Sequence, residues 1–379
     1  MGNTKYYKKL AEKLNNTIFG LSKNEEGEIS DTWLEYLKLL VPQKYIKYII
    51  KLDVYPFLMS VRSFARKINK PKEEAAEILE DLFNKDCIMR VHSKTRFKYA
   101  IHLPFLFFDA PILNFNHGYP EEKAKKVAEL SLKFLEDEDW YKNFEGTDQT
   151  PLSRIVPIDE SIPVKSEILP YEDASSIINN AEVLSLHECA CRARLEMVGK
   201  RKCKGKFPLK TCIGVNDGGQ YVIDRGKGEE ISKDKAKQLL KEFSKLGLVH
   251  TTENFKHGNH MVLCSCCPCC CNLMGGITKP HWDNPRAIAA SNYIAVMDEP
   301  EKCQQCEICL EKCPFNAISS NPAGQIKIES KKCMGCGVCV MNCPSRAIKL
   351  QRLEREKIFK DQISLGLKIS QEKNVKIKF

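Results

Sequence analysis

The chain lacks any long, uninterrupted apolar run. Its two longest apolar stretches, residues 48–59 and 103–115, are broken by charged residues and prolines. A helix that crosses a bilayer needs about 20 mostly apolar residues, so we expect no membrane span. The first residues also lack the apolar core and small-residue cleavage site of a secretory signal, and a cytoplasmic location is therefore expected.

Common cofactor motifs are missing as well. The sequence contains no G-x-G-x-x-G turn, no Walker A phosphate loop and no H-E-x-x-H helix. These absences argue against the two common nucleotide-binding sites and against a zinc-protease helix. The net charge of +10 excludes little, because it suits an acidic protein, a nucleic acid or a membrane surface equally well.

Cysteine is the residue that the chain has in excess. At 379 residues, with 43% hydrophobic and 28% charged residues, the chain should form two or three globular units. Its 19 cysteines are clustered rather than scattered. Clustered thiols in a reducing compartment indicate bound metal before they indicate disulfides.

The C-terminal part contains an internal repeat. The segment EKCQQCEICLEKCPFNAI starts at residue 301, and KKCMGCGVCVMNCPSRAI starts at residue 331. Each half has the spacing C-x2-C-x2-C-x3-C-P, which is the ligand run of proteins that bind two 4Fe-4S cubanes. Three closely spaced thiolates can surround one cube, and the fourth ligand has to come from elsewhere. Zinc binding, or a cluster that only braces the fold, is the competing interpretation.

This repeat resembles the bacterial-type ferredoxins over about residues 300–350. In that family the fourth cysteine of each run binds the other cluster, which implies two ligand sets. The first set is Cys303, Cys306, Cys309 and Cys343, and the second is Cys333, Cys336, Cys339 and Cys313. The resemblance implies low-potential transfer of single electrons by two 4Fe-4S clusters.

Ten more cysteines lie in the middle of the chain, in two groups. They are Cys189, Cys191, Cys203 and Cys212, then Cys264, Cys266, Cys267, Cys269, Cys270 and Cys271. Lysines and arginines surround the first group, and such cations lower thiol pKa values and offset the charge of a cysteine-ligated cluster. The second group, CSCCPCCC, is denser than a tetrahedral zinc site requires.

Both groups resemble a family of ferredoxin-containing proteins. In that family a CxCR segment, a helix ending in GLVH and a CNCCxCCC segment precede the two-cluster domain, and Ser265 replaces the usual Asn here. The resemblance spans most of residues 187–345 and implies one or two additional iron–sulfur clusters. Zinc and redox-active dithiols are the alternatives, and not every cysteine need be a ligand.

Isolated residues near these motifs allow less specific interpretations. His187, His250, His257 and His260 lie close in sequence to the middle cysteines and could ligate or tune a cluster, although a lone histidine is more often structural. Cys87 stands apart from the other cysteines and is most simply a small buried apolar residue.

The N-terminal region resembles a winged helix-turn-helix domain. Helices are predicted to begin near Ser30, Pro42, Val61 and Pro71. Two strands, residues 88–92 and 96–102, should then form a hairpin. The exposed face of the helix after Pro71 is acidic and would repel phosphates, so binding to nucleic acid is not expected. Docking to a protein, or homodimer formation, fits this charge better.

These features divide an α+β protein into five parts. They are a winged-helix-like domain (1–120), a helix and linker (121–180), a Cys-rich α+β domain (181–290), a ferredoxin-like dicluster domain (291–350) and a basic tail (351–379). The tail is expected to be a short helix with a solvated extension.

Electron relay is the function that these features favour. Clusters of the middle domain would exchange single electrons with the two ferredoxin cubes and with a redox partner protein. Two alternatives stay open. The protein could be a redox-sensing regulator that acts through the winged helix, or an oxidoreductase whose middle cluster catalyses a reaction such as disulfide reduction.

Overall fold

A computed structural model describes residues 3–93, 96–114, 119–162, 173–256, 260–278, 287–353 and 358–375. These residues form a mixed helix and sheet protein, which confirms the predicted α+β class. The helices are α1 (Thr4–Asn15), α2 (Asp31–Leu40), α3 (Ile46–Ile49), α4 (Val61–Ile68), α5 (Lys72–Asn84), α6 (Pro104–Asp109), α7 (Glu121–Leu132), α8 (Ala174–Asn180), α9 (Ala190–Met197), α10 (Asp217–Asp224), α11 (Lys233–Leu246), α12 (Asn272–Thr278), α13 (Ile308–Lys312), α14 (Val338–Met341) and α15 (Gln362–Glu372). Within these described ranges, no helix is long and apolar enough to cross a membrane.

The strands form one large sheet and three small ones. They are β1 (Met59–Ser60), β2 (Ile88–Ser93), β3 (Arg96–Ile101), β4 (Ser153–Ile155), β5 (Leu184–Glu188), β6 (Lys210–Val215), β7 (Gly228–Glu230), β8 (Val249–Glu253), β9 (Val262–Cys266), β10 (Ala289–Ala290), β11 (Tyr293–Met297), β12 (Ile318–Ser320), β13 (Ile326–Ile328) and β14 (Ile348–Arg352). The seven-stranded sheet has the order β10-β4-β8-β9-β6-β5-β7, and the three-stranded sheet has the order β1-β3-β2. The pairs β11-β14 and β12-β13 stand alone.

An aromatic core holds the N-terminal helices together. Trp33 stacks on Phe134 with 4.1 Å between ring centroids, and Trp140 meets Trp33 edge-on at 5.0 Å. The helices and hairpin predicted for residues 61–102 are present as α4, α5, β2 and β3. Assignment of residues 1–120 to the winged-helix class stays a prediction.

The helix predicted after Pro42 is only the single turn α3. Ile46, Ile49 and Leu52 are all fully buried, at a spacing of three residues. The flanking backbone bonds also join residues three apart, as between the N–H of Leu52 and the carbonyl of Ile49 at 3.0 Å. A three-residue repeat matches a 3-10 turn better than an α-helix, which accounts for the short element.

We call α1 to α7 together with the β1-β3-β2 sheet the N-terminal unit. Buried ion pairs attach this unit to the middle of the chain. The Oδ1 atom of Asp86 lies 2.6 Å from Nη2 of Arg225 and 2.7 Å from Nζ of Lys227, and all three side chains are nearly fully buried. The β2-β3 hairpin also contacts the middle of the chain, because Arg90 on β2 pairs with Asp224 of α10 at 2.7 Å. The two units therefore share an interface that contains matched charges.

The seven-stranded sheet carries the middle of the chain. Residues 146–180, predicted as an extended linker, contribute β4 to this sheet and also contain α8. Pro163 and Pro170 of that stretch lie outside the described residues, as does Trp282. The helix predicted between Ser232 and Gly247 is α11, and the Ser232 side chain accepts the capping bond from the backbone N–H of Lys235.

The C-terminal tail is packed against the protein along α15. Leu365 and Ile369 are buried with Phe255 in a small core. The carboxylate of Glu372 accepts a hydrogen bond of 2.9 Å from the hydroxyl of Thr150. The sequence predicts a short helix with a solvated extension; the helix is present, and two of its apolar residues are covered. Residues 376–379 lie outside the described residues.

Candidate metal centres

The two cysteine loops of the repeat are residues 303–316 and 333–346. Left-handed backbone recurs at equivalent positions of these loops. The pairs, thirty residues apart, are Gln305 and Gly335, Glu307 and Gly337, and Asn316 and Arg346, with φ between 50° and 78°. Such angles are uncommon outside glycine. Their recurrence shows that the repeat is structural as well as sequential, so both loops curl in the same way.

Seven of the eight cysteines of the repeat fall into two groups of neighbours, and charges from both groups act on the eighth, Cys339. Thiols whose charges act on Cys309 are those of Cys343, Cys306 and Cys303. Thiols whose charges act on Cys336 are those of Cys313 and Cys333. The last cysteine of each run therefore lies with cysteines of the other run, as in the predicted ligand sets. The binding role of each residue stays a prediction.

The two cysteine loops differ in their exposure. Residues 304–307, which include Cys306, are exposed, whereas Cys333, Met334 and Gly335 are buried. The buried loop lies against the middle of the chain, because Gly337 approaches the hydroxyl of Ser161. One half of the repeat is therefore open to solvent and the other half faces the Cys-rich region.

Residues that no motif marks also contact cysteine sulfurs. The backbone N–H groups of Ala295 and Ala317 donate to the sulfurs of Cys333 and Cys313, at 3.3 and 3.4 Å. The hydroxyl of Thr251 lies 3.4 Å from the sulfur of Cys266. Donors of this kind stabilise a thiolate ligand and tune its potential. Strand pairing and loop shape bring them there, and the sequence carries no signal for them.

Four of the ten middle cysteines form a compact group, which we call the four-thiol site. Its members are Cys203, Cys267, Cys269 and Cys270, and their sulfurs all lie within 4.8 Å of one another. The sulfurs of Cys203 and Cys270 are 3.5 Å apart, and that of Cys269 lies 3.6 Å from Cys267 and 3.7 Å from Cys270. In the part of the chain that the structure describes, no other such group of cysteine, histidine or acidic side chains is as compact.

The other six middle cysteines form a wider arrangement, which we call the six-thiol ring. Side-chain interactions that shift their pKa values link neighbouring thiols in the order Cys189, Cys191, Cys271, Cys266, Cys264, Cys212 and again Cys189. Because no three of these described sulfurs meet the 4.8 Å spacing of the four-thiol site, the ring is too wide for one metal ion to bond them all.

Regular structure positions the ring. Cys264 and Cys266 lie two residues apart on β9, so they point to the same face of the sheet. Cys212 lies on the adjacent strand β6, and Cys271 directly precedes α12. Cys189 is the N-cap of α9, whose first turn contains Cys191. The partial positive charge at a helix N-terminus favours thiolates there.

Helix α9 is fixed to the N-terminal unit by Arg194. This side chain is almost fully buried and donates to the Phe108 carbonyl at 2.8 Å and to the Asp109 carboxylate at 2.9 Å. It also donates to the hydroxyl of Ser131 at 3.0 Å. The C-x-C-R-x-R segment therefore bears ring cysteines at its start and an anchor to the N-terminal unit one turn later.

Arg192 lies between the two middle sites. Its fully buried guanidinium donates to the Ser265 carbonyl at 2.9 Å, and its charge acts on Cys267 of the four-thiol site and on Cys189 and Cys212 of the ring. Hydrogen bonds from Cys269 and Cys270, with the Arg192 charge as a further cause, lower the pKa of Cys267 to about 2. Hydrogen bonds from Cys264 and Cys271 lower the pKa of Cys266 to about 6. These contacts favour the thiolate form that metals bind at Cys267 and Cys266, whereas hydrogen bonding raises the pKa of their partners Cys269, to about 12, and Cys264.

Two histidines predicted as candidate ligands differ in their environment. Burial lowers the pKa of His250 to about 4, and its nitrogens lie near the hydroxyls of Ser244 and Ser265, at 2.8 and 3.0 Å. Those contacts give His250 a structural role. Burial also lowers the pKa of His187 to about 4, but its Nδ1 has no hydrogen-bond partner among the described residues.

The other singled-out residues have packing roles where the structure describes them. His260 stacks on Phe255 with ring centroids 4.4 Å apart, and its Nδ1 lies 3.2 Å from the hydroxyl of Thr252. His257 lies outside the described residues. Cys87 is fully buried, which fits the small apolar role expected for it.

A large cavity borders the ring. It has a volume of about 1890 Å³ and is lined by all six ring cysteines and by His187. Residues 53–57 of the N-terminal unit and α15 supply further walls. Three of its lining residues, Phe57, Ile363 and Leu367, are large apolar side chains exposed to solvent. The cavity that the ring cysteines line therefore also has solvent-exposed apolar side chains in its wall.

Comparison with known proteins identifies one part of the chain. The family model of the 4Fe-4S dicluster domain matches residues 302–347. No curated protein and no solved structure gives a match. The two spatial groups of cysteines in this region, with backbone donors on their sulfurs, fit the clusters that such a domain binds. The C-terminal part of the chain therefore carries a ferredoxin-type 4Fe-4S dicluster domain, which suggests electron transfer.

Proposed function

We propose that this protein relays single electrons between a partner oxidoreductase, its dicluster domain and a further iron–sulfur centre held by the six-thiol ring. The opposite exposure of the two cysteine loops carries this proposal. The exposed loop around Cys306 offers a docking point for a redox partner protein. The buried loop around Cys336 faces the Cys-rich region, where the ring lies. A chain of centres with one exposed end and one buried end is what a relay requires.

Packing between the buried loop and the ring supports the same route. Cys266 of the ring belongs to one continuous buried core with Cys333 and Cys339 of the dicluster domain. Cys264 and Cys271 pack against that core as well. Electron transfer weakens with distance, so a buried core shared by the ring and the dicluster domain favours exchange between these centres.

The donor chemistry of the ring favours iron and sulfide over a single zinc ion. A structural zinc site takes four ligands, and the ring offers six thiols spread too widely for one ion. Thiolates are also the ligands that iron–sulfur clusters use, and the cluster supplies or accepts one electron at a time. The ring cysteines would hold the cluster, while the hydroxyl of Thr251 and the charge of Arg192 would tune its potential.

Oxygen-free iron and sulfide analysis tests the additional centre. The dicluster domain alone accounts for about eight irons per chain, and an occupied ring raises the count to about twelve or more. Cys266→Ser should remove the extra iron and leave the EPR signals of the dicluster domain. The control Cys87→Ser, at a buried cysteine outside both middle sites, should change neither. A wild-type count of about eight irons would contradict the proposal.

The cavity favours a second candidate function, which is reaction of a small apolar molecule at the ring. All six ring cysteines line it, and Nδ1 of His187 is a buried polar atom at its wall. Binding sites for small molecules are typically apolar cavities with a few well-placed polar groups. On this proposal the protein would be an oxidoreductase and not only a carrier.

Binding of an apolar dye would test this second candidate. We expect 1-anilinonaphthalene-8-sulfonate to bind the full chain saturably, with fluorescence as the measurement. Leu367→Glu places a charge at the cavity wall and should weaken binding about tenfold. Leu246→Glu, at a similarly exposed leucine on α11, is the control. Equal affinities for the two variants would argue against a ligand in this cavity.

A further inference from the structure

Sulfur spacing separates the four-thiol site from a cubane iron–sulfur cluster. Its measured sulfur distances are 3.5, 3.6 and 3.7 Å. Four thiolates bonded tetrahedrally to one ion at about 2.3 Å have sulfurs about 3.8 Å apart. In a cubane each thiolate binds a different iron, so the sulfurs lie farther apart. The observed spacing is therefore that of a mononuclear site.

We propose that Cys203, Cys267, Cys269 and Cys270 bind a single tetrahedral divalent metal ion, either zinc or ferrous iron, in a site separate from the six-thiol ring. Four protein thiolates complete a tetrahedron and leave no open position, as in structural zinc sites. The inference goes beyond the relay and does not depend on it.

Charge compensation supports a divalent ion. Four thiolates around such an ion leave two negative charges, and buried charges are costly unless they are paired. Two guanidinium groups meet this need. The charge of the fully buried Arg192 acts on Cys267, and that of Arg201, which has 6% of its side chain exposed and pairs with Glu196, acts on Cys203.

The site also explains the density of the CSCCPCCC segment. Cys267 and Cys270 of the four-thiol site are direct sequence neighbours of Cys266 and Cys271 of the ring. A metal ion there would join this turn to Cys203, which lies in a segment without regular secondary structure between α9 and β6. The ion would thereby fix two ring cysteines in place, so its role is to position the ring.

Metal analysis of the anaerobically purified full chain tests the site. We expect one zinc per chain, or one iron beyond those of the clusters, by native mass spectrometry and elemental analysis. Cys269→Ser, at the most exposed of the four cysteines, should lose that one ion. Cys203→Ser should do the same from the other side of the site, and Cys87→Ser should retain the ion. Zinc and iron are distinguished directly by mass, and either one supports the proposal.

Two results would overturn it. Loss of about four irons in Cys269→Ser would mean that these thiols hold a cluster. An unchanged metal content in both Cys269→Ser and Cys203→Ser would mean that they bind no metal. Cobalt(II) provides a spectroscopic check, because exchange into the wild-type site should give the absorption of a tetrahedral tetrathiolate ion. A failed relay would appear instead as a low total iron count with this single ion still present.

Discussion

Gly335 places the second cysteine loop directly against Tyr293, since a Cβ atom at position 335 would overlap the Tyr293 carbonyl oxygen. The residue also has a φ of +60°, which side chains disfavour. We predict that Gly335→Ala forces the loop away from the protein and destabilises the dicluster domain by about 2–4 kcal/mol. Thermal loss of the visible cluster absorbance, followed without oxygen, measures this effect.

Gly27→Ala is the matched control for that substitution. Gly27 has a φ of +79°, but a Cβ atom added there would meet nothing within 4 Å apart from its chain neighbours. The backbone strain is therefore similar and the steric contact is missing, so a cost of about 1 kcal/mol is expected. If the two variants lost stability equally, close approach to Tyr293 would not be the reason for glycine at 335.

A second prediction concerns the charge between the two middle sites. Arg192→Gln removes a buried cation whose charge acts on ring cysteines Cys189 and Cys212. Reduction adds negative charge to a cluster, so loss of the cation should lower the reduction potential of the ring centre. A charge interaction of about 2 kcal/mol corresponds to roughly 90 mV for one electron.

The conservative variant Arg192→Lys separates charge from geometry. Lysine keeps the positive charge but cannot reproduce the bonds of the guanidinium to the Ser265 carbonyl, at 2.9 Å, and to the hydroxyl of Thr211. Its potential should therefore lie between those of the wild type and Arg192→Gln, as measured by EPR-monitored titration. Identical potentials for Arg192→Gln and the wild type would show that this charge does not act on the ring.

The dicluster domain was the part of the site that the sequence could specify. Its ligand spacing is local, since three of four thiolates come from one short loop, and a thirty-residue repeat supplies both loops. The middle cysteines are different. Cys212, Cys264 and Cys189 meet because β6, β9 and the start of α9 lie side by side, and such pairing is not encoded in spacing. Sequence alone therefore predicted ten candidate ligands without dividing them into two sites.

Amphipathic patterns predicted elements better than they predicted packing. The cap at Ser232 and the stop at Gly247 located α11 closely. In contrast, the prediction of a short helix with a solvated extension for the basic tail did not include what the helix packs against. Its helix α15 buries Leu365 and Ile369, because Phe255 of the middle unit offers an apolar surface about a hundred residues earlier in the chain. Long-range contacts of this kind leave little trace in local charge.

A third prediction tests the interface between the N-terminal unit and the middle of the chain. Asp86→Asn keeps a residue that tolerates the φ of 57° at this position but removes the charge facing Arg225 and Lys227. Two cations would then be buried without a carboxylate, which should cost about 3–5 kcal/mol. Denaturant unfolding followed by the fluorescence of the N-terminal tryptophans measures the free energy.

The control for the buried pair is an exposed one. Asp53 pairs with Lys67 at 3.4 Å with about half of each side chain exposed. Asp53→Asn should therefore change the free energy of unfolding by no more than about 1 kcal/mol. Similar losses in Asp86→Asn and Asp53→Asn would mean that burial of the Asp86 cluster contributes nothing beyond an ordinary surface pair.

The last prediction is a pH dependence that arises from His102. Its side chain is fully buried, with Nε2 3.3 Å from the hydroxyl of Tyr221. Burial, and then the charges of Arg225 and Lys227, lower the pKa of His102 well below its ordinary value of 6.5. The folded protein therefore keeps the imidazole neutral, whereas the unfolded chain takes up a proton below pH 6.5. Stability must fall as the pH falls through that range.

The size of this effect follows from proton linkage. Between pH 7 and pH 5, one histidine that stays neutral when folded removes about 2 kcal/mol of stability. His102→Gln cannot take up that proton in either state, so its stability should fall by about 2 kcal/mol less than that of the wild type over the same interval. Denaturant unfolding at both pH values, read from the fluorescence of Trp33 and Trp140, gives the two slopes. Between pH 7 and pH 8 the two proteins should run nearly parallel, because the unfolded histidine is already mostly neutral there. If the free energies of unfolding of the wild type and His102→Gln changed in parallel down to pH 5, His102 would have to take up its proton in the folded protein as well. A buried, neutral imidazole would then be excluded.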